Sequence, residues 1–463
     1  MQYRSTRDSS LRRPFSEVLL GSLASDGGLY VPEKTPHFSL EQINDFQTLT
    51  YQELTFELLF PFVSEELKVE DFKNIVNSSY QVFESEEVVR LINLEEQRWI
   101  LELFHGPTLA FKDVAMQLLG ALLGHFAQKE DKKIAVLGAT SGDTGPAAIA
   151  ACSRHKNVEV FFLFPHQRVT DVQRLQMTTS QASNVHALSV ETDFDGCQAM
   201  VKELFLDKSI SSSPTRFIAA NSINWTRCMA QSVYYFWTYL RLKEQLKELT
   251  FSVPSGNFGH AYAGWLAKEM GLPIKKIIVA TNANDVLHRL FSTNNYKKGE
   301  VSQTLAPSMD ISVASNFERL LFDLYKNNSQ LLSEAMSTFP QKEISLPENC
   351  WQEVNSFFSS LSSNDEEILK EIEATYEKHN YVIDPHTATG IRATRKLSTP
   401  EQSVITMATA HPAKFINAIK QVLSEEVVSI PEQLTSIKGK EEDFVVLPDN
   451  IDKVREYILS KAG

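Results

Sequence analysis

Between residues 133 and 280 one unit repeats: a short run of β-branched and aromatic residues, then a stretch of helical texture. The runs fall at 133–137, 158–164, 185–190, 216–220, 251–253 and 276–280, with a later one at 404–407. Strand, crossover helix, strand is the signature of parallel α/β sheets covered on both faces. At 463 residues, and roughly 150 residues per domain, the chain divides into about three units. Apolar residues make up 43% and charged residues 22%, which places it among globular proteins and away from disordered ones.

The flanks read differently. Residues 1–95 are helical segments around turns, with Asp26-Gly27-Gly28 as a tight turn into a short extended piece. The amphipathic stretch 51–70 contains Pro61, which predicts two helices rather than one. Residues 290–365 are rich in Ser and Asn and read as an insertion of loops and short helices. Ser363 and Glu366 have capping-box spacing, and Ile368, Ile372 and Tyr376 share one face of the helix that follows. The last forty residues read as a charged tail with one terminal helix.

Lys plus Arg number 45 and Asp plus Glu 58, a formal net charge of −13. Such a surface repels polyanions, so neither nucleic acid nor an anionic membrane is an expected partner. A small anionic substrate stays open, because screening over roughly 8 Å lets one cationic pocket act alone. Cys152, Cys197, Cys228 and Cys350 form no C-x-x-C pair, and none stands beside a His at zinc-ligand spacing. They read as buried thiols of a reducing compartment, with no metal site. MQYRSTRDSSLRRPF lacks the apolar core of a signal peptide, and the apolar stretch 233–240 is too short to span a bilayer. A cytoplasmic protein is expected. The sequence carries no signal for oligomeric state.

Two loops share an architecture: Gly138-Ala-Thr-Ser-Gly-Asp-Thr-Gly145 and Pro254-Ser-Gly-Asn-Phe-Gly259 each join a strand run to a helical stretch. Such a loop aims free backbone N–H groups and the positive end of the helix dipole outward, and its glycines let an anion approach closely. An ordinary capped turn would look the same once; two in one chain suggest two anion sites. Neither loop fits G-x-x-x-x-G-K-[ST] or G-x-G-x-x-G, so a nucleotide is disfavoured. The third feature is Phe104-His-Gly-Pro-Thr-Leu-Ala-Phe-Lys112-Asp113, a lysine among apolar neighbours ahead of a helical pattern. Apolar surroundings lower a lysine pKa, as a Schiff-base nucleophile requires. Together these features suggest a phosphorylated aldehyde cofactor at one loop and an anionic substrate at the other.

The motifs then carry a resemblance. ELFHGPTLAFKD (102–113) resembles the cofactor-lysine motif of the threonine synthase family. ATSGDTG (139–145), ANSINW-x-R (220–227), VPSGNFG (253–259), ATNAND (280–285), MDIS (309–312) and TAHPAKF (409–415) are similar to its further signatures in the same order. FSEVLLGSLASDGGLYVPE (15–33) resembles the N-terminal module of the longer bacterial and fungal type, so the likeness spans about 15–425.

The resemblance implies fold type II of the pyridoxal-phosphate enzymes, like tryptophan synthase β. That means two open, mostly parallel sheets with helices on both faces, plus a mainly helical N-terminal module. Its expected division is 1–95 for that module, 126–239 for a small domain, and 96–125 with 240–463 for a large cofactor-binding domain. It further implies a carbon–oxygen lyase acting on phosphate: pyridoxal 5'-phosphate-dependent conversion of O-phospho-L-homoserine and water to L-threonine and phosphate. Close alternatives are a phospho-lyase giving 2-oxobutyrate, a serine or threonine dehydratase, or a non-catalytic phosphate-binding scaffold.

By motif, Lys112 carries the cofactor in Schiff-base linkage and is the catalytic base. Gly256, Asn257, Phe258 and Gly259 cradle its phosphate, Thr409 faces its ring nitrogen, and Asp143 lies beside it. Thr140, Ser141, Gly142 and Thr144 take the substrate carboxylate or the ring hydroxyl; Asn221, Ser222, Asn224 and Arg227 take the substrate phosphate. Members often carry an acidic residue after GNFG; this chain has His260, which would add positive charge beside the phosphate, cap the helix, or have no functional consequence.

Overall fold

The computed structural model describes residues 1–21, 23–140 and 142–462. The chain opens with a small antiparallel sheet of β1 (Tyr3–Ser5), β2 (Arg12–Arg13) and β3 (Tyr30–Pro32), with β1 in the middle. Helices Tyr51–Val63 and Val69–Tyr80 follow. The first starts where it does because Thr50 and Glu53 cap each other reciprocally. Pro61 lies inside that helix and the break comes after Val63, so 51–70 holds one helix and only the start of the next.

Among the described residues eleven further strands follow: β4 (Arg90–Glu95), β5 (Arg98–Glu102), β6 (Ile134–Ala139), β7 (Val158–Pro165), β8 (Val185–Val190), β9 (Arg216–Ala219), β10 (Glu248–Pro254), β11 (Lys276–Thr281), β12 (Phe358–Ser362), β13 (Gln402–Ala408) and β14 (Val445–Leu447). One sheet has the order β12-β11-β10-β13-β5-β4 and is parallel except for the β4–β5 hairpin. The other has the order β14-β8-β7-β6-β9 and is parallel throughout. All seven expected runs are strands, with ends within three residues of those read from the sequence.

Two expectations need correcting. Residues beyond 444 do not stay with the larger sheet: β14 pairs with β8, and helix Ile451–Ala462 packs Val454, Ile458 and Ala462 in one cluster with Leu188 and Val190 of the smaller one and Leu204 of helix Phe194–Leu206. The apolar positions scattered through a charged tail close an edge and a face that would otherwise stay open. The capping box near 364 is also one residue later, with Asn364 and Glu367 as the reciprocal pair.

The two sheets meet through helix Lys112–Glu130, which packs on helix Thr144–Cys152. Gly120 allows the approach, since a Cβ there would stand 2.7 Å from the Ala151 carbonyl oxygen. Strands β5, β10 and β13 are parallel neighbours, so the loops after Glu102, Pro254 and Ala408 leave the same edge of the larger sheet. Carboxyl ends of parallel strands are where α/β folds place ligands.

Candidate active site

The loop from β5 to Lys112 is lashed down at several points. Phe111 N–H donates to the Thr409 carbonyl at 2.8 Å, and His411 N–H to that of Leu109 at 3.0 Å. The Asp113 carboxylate accepts from Thr108 N–H at 2.8 Å and Thr108 Oγ1 at 2.7 Å. Gly106 is needed there, because a Cβ would come within 2.5 Å of the Asp113 Cβ. Lys112 is thereby fixed as the first residue of its helix, with its side chain drawn inward to 8% exposure.

Its Nζ stands 3.7 Å from Asp143 Oδ2, 3.4 Å from Ser308 Oγ and 5.1 Å from the centre of the Phe111 ring. Burial pushes the amine's pKa down; Asp143 opposes that, while Lys414 and Arg227 reinforce it. This is the condition a nucleophilic lysine needs. Asp143 has the reverse balance. Burial works to raise its pKa, but Lys414 at 2.7 Å and Lys112 outweigh burial and hold it well below the usual carboxylate range. Lys414 is itself buried and also donates to the Thr108 carbonyl at 2.7 Å.

The second loop is a cradle. Phe258 adopts a left-handed conformation (φ 63°) ahead of helix Gly259–Glu269. A Cβ on Gly256 would meet Met309 Cα at 3.0 Å, and one on Gly259 would meet Asn316 Nδ2 at 3.1 Å. Asn257 accepts from Ser315 through its side chain and from Asn316 through its carbonyl. Buried Ser255 Oγ has no hydrogen-bond partner here. A buried hydroxyl without a partner, at a bare helix N-terminus beside a buried amine, fits a phosphorylated aldehyde.

His260 neither adds charge nor caps. Burial pushes its pKa down to about 3, and its ring stacks on Phe111 at 4.9 Å. Neither ring nitrogen has a partner of hydrogen-bond geometry, although the nearby Pro254 carbonyl pulls slightly the other way.

In the first loop Thr140 Oγ1 accepts from Gly142 N–H and Gly145 N–H, folding the turn on itself. Asp143 precedes helix Thr144–Cys152 without capping it, its carboxylate being engaged with the two lysines. Ser141 lies outside the described residues. Asn224 caps helix Trp225–Leu242 and donates to the Leu19 carbonyl at 2.8 Å. Ser222 offers its carbonyl to Asn316. The Asn221 carbonyl accepts from Arg227 at 2.7 Å. Arg227 is 5% exposed, its Nε has no partner, and among the described residues no carboxylate lies within ion-pair distance. Burial pushes its pKa down to about 10, which leaves it charged at neutral pH. Thr409 is buried beside the lysine segment, its N–H donating to Thr387 Oγ1 at 3.3 Å.

The structure therefore gathers Lys112, Asp143, Arg227, Thr409 and the 255–260 cradle. Sequence reasoning missed Lys414, Ser308 and the pair Asp384–His386. Lys414 stood inside a motif already singled out, TAHPAKF, and could have been found there. Among the described residues no cluster of His, Cys, Asp and Glu could hold a metal ion.

Comparison with known proteins agrees with this geometry. Family models described as threonine synthase N terminus, pyridoxal-phosphate dependent enzyme, and threonine synthase C-terminal match residues 2–80, 83–345 and 387–458. A threonine synthase of Pseudomonas aeruginosa is 46% identical, covering 99% of this chain and 98% of its own. One from Saccharomyces cerevisiae is 40% identical over 91% of this chain and 89% of its own. The crystal structure of pyridoxal-phosphate-bound threonine synthase from Brucella melitensis superposes with a TM-score of 0.96 at 40% identity, covering 100% of this chain and 99% of that one.

Proposed function

The chain belongs to the threonine synthase family of pyridoxal-phosphate dependent enzymes, and from that membership we propose that its substrate is O-phospho-L-homoserine, turned over with water to L-threonine and phosphate. The observation that carries the phosphorylated substrate is Arg227, a buried cation with an idle Nε and, among the described residues, no carboxylate partner. An unpaired buried charge is costly, and a planar guanidinium suits two-point contact with a phosphate.

The cofactor would be held by Lys112 Nζ and by Gly256, Asn257, Phe258 and Gly259, with Asp143 and Thr409 beside it. When bound it supplies the electron sink that makes substrate C–H bonds acidic. The protein's part is proton handling and charge placement. Lys112, with its lowered pKa, can take a proton at the substrate α-carbon, return one, and take another at the β-carbon. A positioned base of this kind contributes roughly 10²–10⁴-fold. Arg227, with Asn221 and Ser222 alongside, receives the departing phosphate, a stabilisation of comparable size. On this reading Thr140, Gly142 and Thr144 hold the substrate carboxylate. A cytoplasmic setting is part of the same reading, supported by four buried free thiols, with Cys152 pushed up to about 12.

The test is incubation with O-phospho-L-homoserine, following phosphate release and amino-acid product in parallel. Threonine and phosphate in equal amounts are expected. Phosphate with 2-oxobutyrate would make the chain a phospho-lyase, and no turnover a binding scaffold. In Arg227→Ala, kcat/KM should fall at least about 100-fold; a dehydratase acting on unphosphorylated serine or threonine would barely notice that change.

A further inference from the structure

Behind Lys112 lies a second set of contacts that family membership does not account for. Ser308 sits in the one-turn helix Pro307–Met309, and its hydroxyl takes an N–H of the Lys112 amine at 3.4 Å. Its backbone N–H donates to His386 Nε2 at 3.1 Å, and His386 Nδ1 faces Asp384 Oδ1 at 2.8 Å. An Nε2 that accepts leaves the ring proton on Nδ1, where the Asp384 carboxylate receives it. Asp384 is 1% exposed and His386 3%. Asp384 also binds the N–H and hydroxyl of Thr387, whose Oγ1 holds Thr409 N–H. Ser308 touches the cradle too: its carbonyl oxygen stands 3.3 Å from where a Cβ on Gly256 would be.

We infer that Ser308 is a catalytic partner of the Lys112 amine, and that His386 and Asp384 are the positioning pair that holds it in place. A charged lysine amine has three N–H directions. Ser308 Oγ takes one by hydrogen bond and Asp143 Oδ2, an ion-pair partner at 3.7 Å, draws a second toward it, so proton loss leaves the lone pair the third. The hydroxyl thus sets where the amine points and how readily it gives up its proton. His386 does neither directly; it fixes the main chain that carries the hydroxyl.

The inference rests on Lys112 being the cofactor lysine, so its first readout needs no substrate. The rate at which the cofactor-free protein takes up pyridoxal 5'-phosphate, a step that needs the unprotonated Lys112 amine, is measured against pH. Ser308→Ala should move the midpoint by about one unit or more, a ten-fold change in proton affinity. It should also lower kcat at least about ten-fold with KM within about threefold. Ser308→Thr, which keeps the hydroxyl, should restore both. His386→Phe should reproduce the Ser308→Ala shift, and the double variant should be no worse than either single one. His386→Gln, whose amide oxygen can accept the same N–H, should retain most of the function.

An unmoved midpoint in Ser308→Ala, or additive losses in the double variant, overturns the assignment. If His386→Phe does not fold, the Ala and Thr variants at 308 decide alone. A midpoint that moves while O-phospho-L-homoserine is not consumed would reject the proposed substrate and leave this assignment standing.

Discussion

Asp113 illustrates how the active-site loop is tuned one side chain at a time. Its carboxyl is fully buried, and burial raises its pKa to about 6 even though Thr108 donates to it twice. A pKa raised on folding means the folded state binds the proton more tightly than the unfolded one. The associated stability is complete below the unfolded value of 3.8 and is lost as pH rises through about 6. Two units correspond to about 3 kcal/mol at most. Urea midpoints of Asp113→Asn and the parent chain, compared from pH 4 to pH 7, should show the parent losing ground as pH rises. A constant difference would assign the carboxyl no titration in that range. His260 behaves oppositely: burial pushes its pKa from 6.5 down to about 3, so the unfolded chain takes up a proton there that the folded one refuses, and its contribution to stability grows as pH rises through this window, equally in both chains.

At the scale of elements, helix Lys112–Glu130 decides the placement of the lysine, and Gly120 decides the placement of the helix. Replacing a mid-helix glycine with alanine ordinarily gains about 0.5–1 kcal/mol. Here the new Cβ would press on the Ala151 carbonyl at 2.7 Å, and overpacking costs about 1–3 kcal/mol. Gly120→Ala should therefore lower the melting temperature, and a rise would show that the two helices separate freely. The same packing explains what the sequence could disclose. Strands β6, β7, β10, β11 and β13 are buried on both faces, so their continuous apolar runs are visible without a fold. Strands β4 and β12, RLINLE and FSSLS, lie at sheet edges with polar residues on an open face, and their texture resembles loop. In the site, Lys112 and the two glycine loops were legible because one short stretch holds each signal. Ser308, His386 and Lys414 were not, since their meaning arises only where distant loops converge on one amine.

Over the whole molecule, the smaller sheet takes its outer strand and one covering helix from the far end of the sequence. Arg174 and Thr178 both engage Glu442, and Thr215 Oγ1 donates to the Ala462 carbonyl, so that connection is fastened at both ends. Fully burying side chains such as Val454 and Ile458 contributes about 1.5–3 kcal/mol each. Ile458→Asp should thus lower thermal stability by several degrees and expose surface that binds a hydrophobic dye, while an unchanged melt would make the helix a passive appendage. The arrangement also orders events on the ribosome. About 250 residues separate the end of β8 from the start of β14, which at 5–20 residues per second leaves the β8 edge unpartnered for about 10–50 s of synthesis. During that interval the nascent chain presents a bare, aggregation-prone strand to its surroundings, and chaperone demand should track translation speed through the intervening sequence.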